Sequence, residues 1–402
     1  MKIAYVTMQF PVASETFAAV ELRALRRLGE TLSVLSYRAA PPGAEKTLAE
    51  RDLADLDVDS GSAAATLKGV WLMLSRPRDA GFLIATIGRH CWNRPLHLAK
   101  ALALVPRSLI LLERVERLKP DVLHLFWGHY PSLIGLLVRH RHPRIVISQF
   151  LGAYDLERRF PLSGLLARQA DCVVTHAKAN LPDIMALGLG GEDVTLSYRG
   201  VEVPAPLPQP QKVRGLIAVA ERLVPQKHTA EALHIFAKLR GMIPEARLLV
   251  LGDGPEADSL KRLAADLDVD EAVTFAGHVS HDAVFDHLAR AEAVVTMSQS
   301  RSERLPNAIK EAMLHRCLCL TGRSPGIEEL IEDGETGLLA EPGDIAGAAE
   351  RLGRVLSDGA AVSRIGAAAQ ARIVEDFNAD RLMRQRRDAW SARLATKSRH
   401  TA

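Results

Sequence analysis

Two glutamates, Glu303 and Glu311, and the proline between them are the residues of this chain whose types and spacing are best suited to chemistry. They follow the apolar run AVVTMS, and Pro306 fits the first turn of a helix, where a missing N–H leaves no hydrogen bond unmade. We therefore predict a strand, a loop carrying Glu303, and a helix that starts near Leu305 and carries Glu311. The free amides at the start of such a helix attract anions, phosphate in particular.

The separation of the two carboxylates would put Glu303 at the mouth of the helix and Glu311 about a turn and a half inside it. Such a pair is suited to gripping two parts of an extended anionic ligand. Glutamates at this spacing also arise often on solvated helix faces, where they have no ligand. The neighbouring segments therefore decide between the two interpretations.

The same stretch resembles the E-x7-E motif of the retaining, nucleotide-sugar-dependent glycosyltransferases of family four, which have the two-domain GT-B fold. Four further segments resemble that family and follow one another in the family's order. They are FPVASETFAAVELRALRRLG, LIAVAERLVPQKH, ARLLVLGDGP and SPGIEELIEDGETGLLAEPGD. Five segments in the correct order make a chance match improbable.

The resemblance implies a donor-binding site in the second half of the chain. Arg222 and Lys227 would hold the diphosphate, Glu311 the ribose hydroxyls, and Glu303 with nearby amides the hydroxyls of the sugar. The complete predicted donor-binding set is Arg222, Lys227, Gly252, Glu303, Leu305, Pro306, Asn307 and Glu311. Without the resemblance, the two basic residues would be ordinary surface charges.

The same resemblance implies that the first half of the chain supplies a catalytic histidine and an acceptor side. His129 follows the apolar run DVLHLF and is the predicted catalytic-site histidine, and His124 is the second candidate. The position at which the family usually has this histidine is Phe126 in this chain. The predicted catalytic set is His129, Glu303, Arg222 and Lys227, and the predicted acceptor-side set is Ser14, Glu15, Thr16, His124, Gly152 and Asp155. A packed structural imidazole explains His124 equally well, and Asp155 is equally suited to cap a helix.

A diphosphate held by cations and helix amides needs no metal ion, because these groups stabilise the charge that develops on the leaving phosphate. We therefore predict a metal-independent transferase without a cofactor. Asp55–Asp59 contains two overlapping D-x-D matches, the form that a metal-binding motif would take. It follows a charged stretch, and we interpret it as a solvated helix or loop.

The composition sets outer bounds on the class of protein. The chain has 402 residues, of which 48% are apolar and 25% charged, and is long enough for two cores. A net charge of +3 gives no reason to expect a nucleic-acid partner. Met1-Lys2 leads directly into IAYVT without an apolar signal region, so we expect a cytoplasmic protein, with the inner face of the plasma membrane as the place of any membrane contact.

Apolar runs separated by helix-like segments predict two parallel sheets covered by helices. A stretch with four prolines, residues 203–212, lies between the two sets of runs and predicts a stiff connector. We predict an α/β protein of the GT-B class, with two Rossmann-like, doubly wound domains facing a central cleft. The domains are predicted at 1–205 and 206–376, and a helix at 377–402 is predicted to cross back to the first domain.

Other functions fit parts of the sequence. Residues 252–257 match the dinucleotide motif G-x-G-x-x-A, but the next strand, AVTFAGHV, ends without the acidic residue that would bind a ribose, so a simple glycine turn is favoured. A sugar phosphorylase or epimerase of the same fold is a second possibility, without a recognisable lysine signal for pyridoxal phosphate. The family commonly has glycine where this chain has Glu221, Arg304 and Arg316. A catalytically inactive nucleotide-sugar-binding partner of another transferase is therefore the alternative function.

The segment from Lys68 to Lys119 bears on the acceptor. Its basic residues outnumber its acidic ones, and Trp71 and Trp92 lie among them. This composition suits contact with an anionic membrane, and it equally suits helices that pack on the sheet with solvated charges. The predicted function is transfer of a sugar to a saccharide or lipid-linked saccharide acceptor in the synthesis of cell-surface polysaccharide or glycolipid.

Overall fold

The structure is a computed structural model that describes residues 1–12, 15–299 and 303–399, without the side chains of residues 63–66. It divides into two compact units, Met1–Gly200 together with the C-terminal segment from Ala379, and Val201–Asn378. The observed boundaries lie at residues 200 and 378, against predicted boundaries at 205 and 376. Each unit is described by itself.

The first unit contains a parallel sheet of seven strands, in the order β3-β2-β1-β4-β5-β6-β7. The strands are β1 (Lys2–Thr7), β2 (Thr31–Ser36), β3 (Asp57–Asp59), β4 (Val122–Leu125), β5 (Val146–Phe150), β6 (Cys172–Thr175) and β7 (Val194–Leu196). The order reverses at β1, as it does in doubly wound folds. Successive residues of β1 point to opposite faces, so Ala4 and Val6 enter one core while Ile3 and Tyr5 enter the other.

The short edge strand β3 shows that the interpretation of Asp55–Asp59 as a solvated helix or loop was wrong. Asp57 accepts a hydrogen bond from Ser33 Oγ at 2.9 Å and is 2.6 Å from Arg114 Nη2. Asp59 lies 2.6 Å from Arg107 Nη2. The arginines that neutralise this acidic strand come from a distant helix, so the local sequence pattern does not reveal them.

Among the described residues, ten α-helices of the first unit precede the second unit in the chain. They are α1 (Thr16–Arg27), α2 (Ala44–Glu50), α3 (Ala63–Ser75), α4 (Pro77–Cys91), α5 (Pro95–Ala103), α6 (Val105–Leu118), α7 (Ser132–Arg141), α8 (Ala153–Arg158), α9 (Pro161–Ala167) and α10 (Leu181–Met185). Within the described part of the chain, no single helix has the length and apolarity to cross a membrane. The bent pair α5 and α6, taken together across 45°, meets that test on length and composition alone.

The second unit repeats the doubly wound pattern with six parallel strands in the order β10-β9-β8-β11-β12-β13. The strands are β8 (Val213–Ala220), β9 (Arg247–Leu251), β10 (Val273–Gly277), β11 (Ala291–Thr296), β12 (Leu318–Gly322) and β13 (Leu338–Ala340). The helices are α11 (Thr229–Arg240), α12 (Ala257–Asp266), α13 (His281–Arg290), α14 (Asn307–Leu314), α15 (Ile345–Leu356) and α16 (Gly359–Asp376). Every apolar run predicted for the two sheets forms a strand.

The last helix, α17 (Ala379–Arg399), packs in the first unit although it follows the second in sequence. Its Arg386 forms a fully buried ion pair with Glu21 of α1, with 2.8 Å between Nη1 and Oε2. Trp390 is wholly buried, and its ring centroid lies 5.1 Å from that of His124. These contacts make α17 part of the core beneath β4.

Candidate active site

The loop after β8 carries the two predicted cations. Arg222 is exposed, whereas Lys227 ends a short 3-10 turn and is half-buried. The Lys227 ammonium lies 2.6 Å from each carboxylate oxygen of Glu303, and Ser298 Oγ donates a hydrogen bond to the same carboxylate at 2.8 Å. The structure therefore brings together two predicted site residues that are 76 positions apart.

Gly252 allows the turn after β9 to approach the cation loop. Its φ is +146°, and a Cβ at this position would lie 1.8 Å from the carbonyl oxygen of Glu221. A Cβ on Gly254 would similarly lie 2.3 Å from the carbonyl oxygen of Leu223. The predicted glycine turn thus lets two loops meet at the carboxyl end of the sheet, where ligands bind in folds of this kind.

Helix α14 begins at Asn307 with Pro306 in the N-cap position, two residues after the predicted start near Leu305. Leu305 and Pro306 are buried, and Asn307 is half-buried. Proline has no side-chain acceptor, so it leaves the first amides of the helix available to another group. The positive end of the helix dipole therefore follows Glu303 in the chain by only a few residues.

Glu311 lies in the second turn of α14 and is only 8% exposed. Its Oε1 is 3.1 Å from Nε2 of His281, the first residue of α13. The sequence analysis did not identify His281. Its 30-residue separation from Glu311 leaves no spacing signal, and the only local sign is Ser280, which caps α13.

Glu221 is half-buried, and from the sequence it was noted only as a departure from the family pattern. Its two oxygens accept hydrogen bonds from Thr229 Oγ1 and Thr296 Oγ1, each at 2.9 Å. Burial raises the pKa of Glu221 to about 7; the charge of Lys227 and both hydrogen bonds oppose that rise, and Glu303 adds to it. A group that gains or loses a proton near neutral pH therefore lies close to the Lys227–Glu303 pair.

Arg304 and Arg316 are the other two departures from the family pattern. Arg304 is buried, with 7% of its surface exposed. Arg316 follows α14 and has a φ of +60°, a conformation that glycine adopts without strain. This φ explains why glycine is common at that position, and Arg316 Nε donates a hydrogen bond to Gln370 at 2.8 Å.

In the first unit, Asp155 fixes the predicted catalytic histidine. Its Oδ1 lies 2.7 Å from His129 Nδ1 and also accepts the backbone N–H of His129 at 3.0 Å. Its Oδ2 accepts the N–H of Gly152 at 3.0 Å, so Asp155 caps α8 as well. The two interpretations of Asp155, site residue and helix cap, are compatible because its two oxygens serve different partners.

His124 lies inside β4 and is fully buried. Its Nδ1 is 2.9 Å from Ser148 Oγ, and burial lowers the pKa of His124 well below its ordinary range. Its surroundings are those of a packed imidazole. Glu15 precedes α1 and Thr16 begins it; burial raises the pKa of Glu15, opposed by the charge of Arg199. Ser14 lies outside the described residues.

The chain was compared with known protein families and curated proteins. Residues 208–372 match the family model described as "Glycosyl transferases group 1". The chain is 31% identical over 159 residues to N-acetyl-alpha-D-glucosaminyl L-malate synthase of Bacillus anthracis, covering 40% of each protein. It is 28% identical over 296 residues to the lipopolysaccharide core biosynthesis glycosyltransferase LpsE of Rhizobium meliloti, covering 70% of this chain and 78% of LpsE. In several of these relatives, the Bacillus protein among them, the match spans only 40 to 56% of the relative's length.

Among solved structures, Anabaena HepE in complex with UDP-glucose has a TM-score of 0.70 to this chain at 16% identity. The similarity covers 98% of this chain and 100% of HepE and concerns the fold. The predicted GT-B class, with two doubly wound domains, is thereby confirmed. The match of residues 208–372 to the group 1 glycosyl transferase model agrees with the resemblance found in the sequence.

Proposed function

We propose that this protein is a retaining, metal-independent glycosyltransferase that moves a sugar from a nucleotide-diphosphate sugar to a saccharide or lipid-linked saccharide. The observation that carries this proposal is the meeting of Lys227 with Glu303 just before α14, the helix that bears Glu311. A cation, two carboxylates and a helix N-terminus are the groups that an anionic, hydroxyl-rich donor requires. All of them lie within the family match over 208–372.

The negative charge of the departing diphosphate accounts for the two cations in the loop after β8. When the bond between the anomeric carbon and the β-phosphate oxygen breaks, the electron pair remains on the phosphate. Arg222, Lys227 and the first amides of α14 would stabilise that charge where it develops. This scheme uses neither a metal ion nor a cofactor.

In this proposal the two carboxylates bind the uncharged hydroxyl groups of the donor. We assign the ribose hydroxyls to Glu311 and the sugar hydroxyls to Glu303. Without donor, Glu303 holds the Lys227 ammonium at 2.6 Å. When the donor binds, phosphate oxygens would accept some of the hydrogen bonds that the Lys227 ammonium now donates to Glu303. Glu303 would then be able to accept a hydrogen bond from a sugar hydroxyl.

Retention requires the new bond to form on the face that the leaving group vacates. In this proposal the acceptor oxygen bonds to the anomeric carbon on that face, and its proton passes to the β-phosphate oxygen. His129 remains the predicted catalytic histidine: Asp155 occupies its Nδ1, so Nε2 is left for a hydroxyl group. Glu15, Thr16 and Gly152 remain predicted acceptor-side residues.

The outer face of α3 favours a lipid-linked acceptor. Leu67, Val70, Trp71 and Leu74 are 75%, 49%, 61% and 79% exposed and follow one another at i, i+3, i+4 and i+7. Lys68 and Arg78 are exposed cations on and beside the same helix. We propose that this apolar stripe lies on an anionic membrane, at the cytoplasmic leaflet, where a glycolipid or polysaccharide intermediate would be presented.

Donor hydrolysis followed by proton NMR tests the proposed function. The protein is incubated with a panel of α-linked UDP-, GDP- and ADP-sugars, and the anomer of the released sugar is recorded before mutarotation. The proposal predicts slow release of the α-anomer from one donor. Release of the β-anomer contradicts retention, and thermal stabilisation by a donor without any release favours the inactive binding partner.

A further inference from the structure

The first unit contains a cavity that is lined by none of the predicted site residues. It is a cavity of about 550 Å³ between α4 and α7, closed from below by α9 and the residues that follow it. Helix α4 contributes Phe82, Thr86, Arg89 and His90, and α7 contributes Arg139 and His140. On α4 these positions recur at helical spacing, so one face of that helix forms the whole wall.

The charge of the α4–α7 cavity has one sign. Arginine and histidine are its only titratable lining residues, and none of the lining residues is acidic. Arg139 is partly neutralised by Asp171, at 3.1 Å, and Asp171 also binds Lys397 at 2.7 Å. Arg89 is exposed and forms no ion pair with any described residue. Its guanidinium is therefore available to an anion that enters from solvent.

Apart from Thr86 and Gln169, the remaining lining is apolar or aromatic. The Phe82 and His140 rings stack with centroids 4.2 Å apart and an interplanar angle of 6°. Leu136 and Leu165 add aliphatic surface. A volume of about 550 Å³ is in the range of small-molecule sites and leaves space for more than a bare phosphate. The ligand that matches this lining has an anionic group for Arg89 and an apolar part for the floor.

We propose that the α4–α7 cavity binds the phosphate of an amphiphilic phosphate ester, with Arg89 as its principal charged contact. The phosphate accepts hydrogen bonds from the guanidinium, and the first atoms of the apolar body lie against Leu136 and Leu165. The same chemistry is offered by a soluble phosphate ester and by a lipid headgroup. The proposal does not depend on sugar transfer, because it concerns binding in the absence of a donor.

Calorimetric titration of the full-length protein tests this site with three probes: inorganic phosphate, soluble short-chain phosphatidic acid, and phosphatidylcholine vesicles with or without long-chain phosphatidic acid. Arg89→Ala removes the free cation, and Ala85→Phe fills the cavity without changing its charge. Arg144→Ala is the matched control, since Arg144 is an exposed arginine of the same unit outside the cavity. Circular dichroism verifies that each variant is folded.

We expect short-chain phosphatidic acid to bind the wild type and the Arg144→Ala control alike, and to bind Arg89→Ala and Ala85→Phe about tenfold more weakly. Binding of the soluble short-chain ester without binding to phosphatidic-acid vesicles would identify a soluble ester as the source, and stronger binding to those vesicles than to pure phosphatidylcholine vesicles would identify a headgroup. No binding of any probe to the wild type overturns the proposal. Equal losses in Arg89→Ala and Arg144→Ala, or no loss in either cavity variant, overturn it as well.

Discussion

The ammonium of Lys227 lies 2.6 Å from both carboxylate oxygens of Glu303, and this contact joins the loop after β8 to the start of α14. If the pair forms the diphosphate site, Lys227→Ala should weaken donor binding at least tenfold. The free energy of unfolding should change by no more than about 1 kcal/mol, because the pair is partly exposed.

Lys261→Ala is the control for this variant, since it removes an exposed lysine from α12 in the same unit. Calorimetric titration gives the dissociation constants and urea unfolding gives the stabilities. Equal donor affinity in the two variants would remove Lys227 from the site.

Glu221 predicts a stability component that decreases as the pH rises. Its pKa is raised from an ordinary value near 4.5 to about 7 by burial, so the folded protein holds this proton more tightly than the unfolded chain. The stabilisation is fully present below pH 4.5 and is lost as the pH rises through 7, on the order of 3 kcal/mol in total.

Other groups titrate in the same window, so the quantity to measure is the difference in unfolding free energy between wild type and Glu221→Gln. Urea unfolding at a series of pH values should show that the wild type loses stability relative to Glu221→Gln as the pH rises from about 4.5 to 7. A difference that stays constant across the window would mean that the carboxyl is not protonated in the folded protein.

Asp155 should affect turnover through His129. Asp155→Asn replaces the charged partner of Nδ1, so we expect turnover with the identified donor to fall at least tenfold. The buried carboxylate also accepts two backbone N–H groups, and its loss should cost about 1–3 kcal/mol of stability.

Ser148→Ala is matched to this variant because it removes the Nδ1 partner of the other histidine, His124. It should leave turnover near the wild-type value. Comparable losses of turnover in the two variants, measured below their melting temperatures, would contradict the assignment of His129.

The apolar stripe on α3 should bind anionic membranes. Replacing Trp71 and Leu74 by serine removes two of its most exposed large side chains, and we expect flotation with anionic liposomes at low salt to fall several-fold. Met185→Ser, which changes an exposed apolar residue on α10, serves as the control. Binding that is insensitive to the stripe variant, or wild type that ignores these liposomes, would contradict membrane contact.

The fold could be predicted from the sequence because its signals are local. Strands buried on both faces are continuous apolar runs, and these were recognised in both units. Strand β3 was not recognised. Its three residues are acidic or partly exposed, and its stability depends on Arg107 and Arg114, whose contribution becomes visible only after folding.

The site was predicted as far as residue type and family pattern allow. Lys227 and Glu303 were both identified, and the structure shows that they touch. His281 and Glu221 were not identified as site neighbours, because their partners Glu311 and Thr296 lie 30 and 75 positions away and no spacing rule connects them. Long-range side-chain contacts are set by sheet topology rather than by local pattern.

The central claim is that Lys227 and Glu311 bind a nucleotide-sugar donor. It is tested most directly by measuring thermal shift and hydrolysis with the donor panel for wild type, Glu311→Ala and Lys227→Ala. Our account predicts that one nucleotide sugar raises the melting temperature of the wild type and is turned over, and that both substitutions reduce the shift. Failure of every nucleotide sugar to stabilise the wild type, or equal stabilisation of all three proteins, would contradict the assigned donor site.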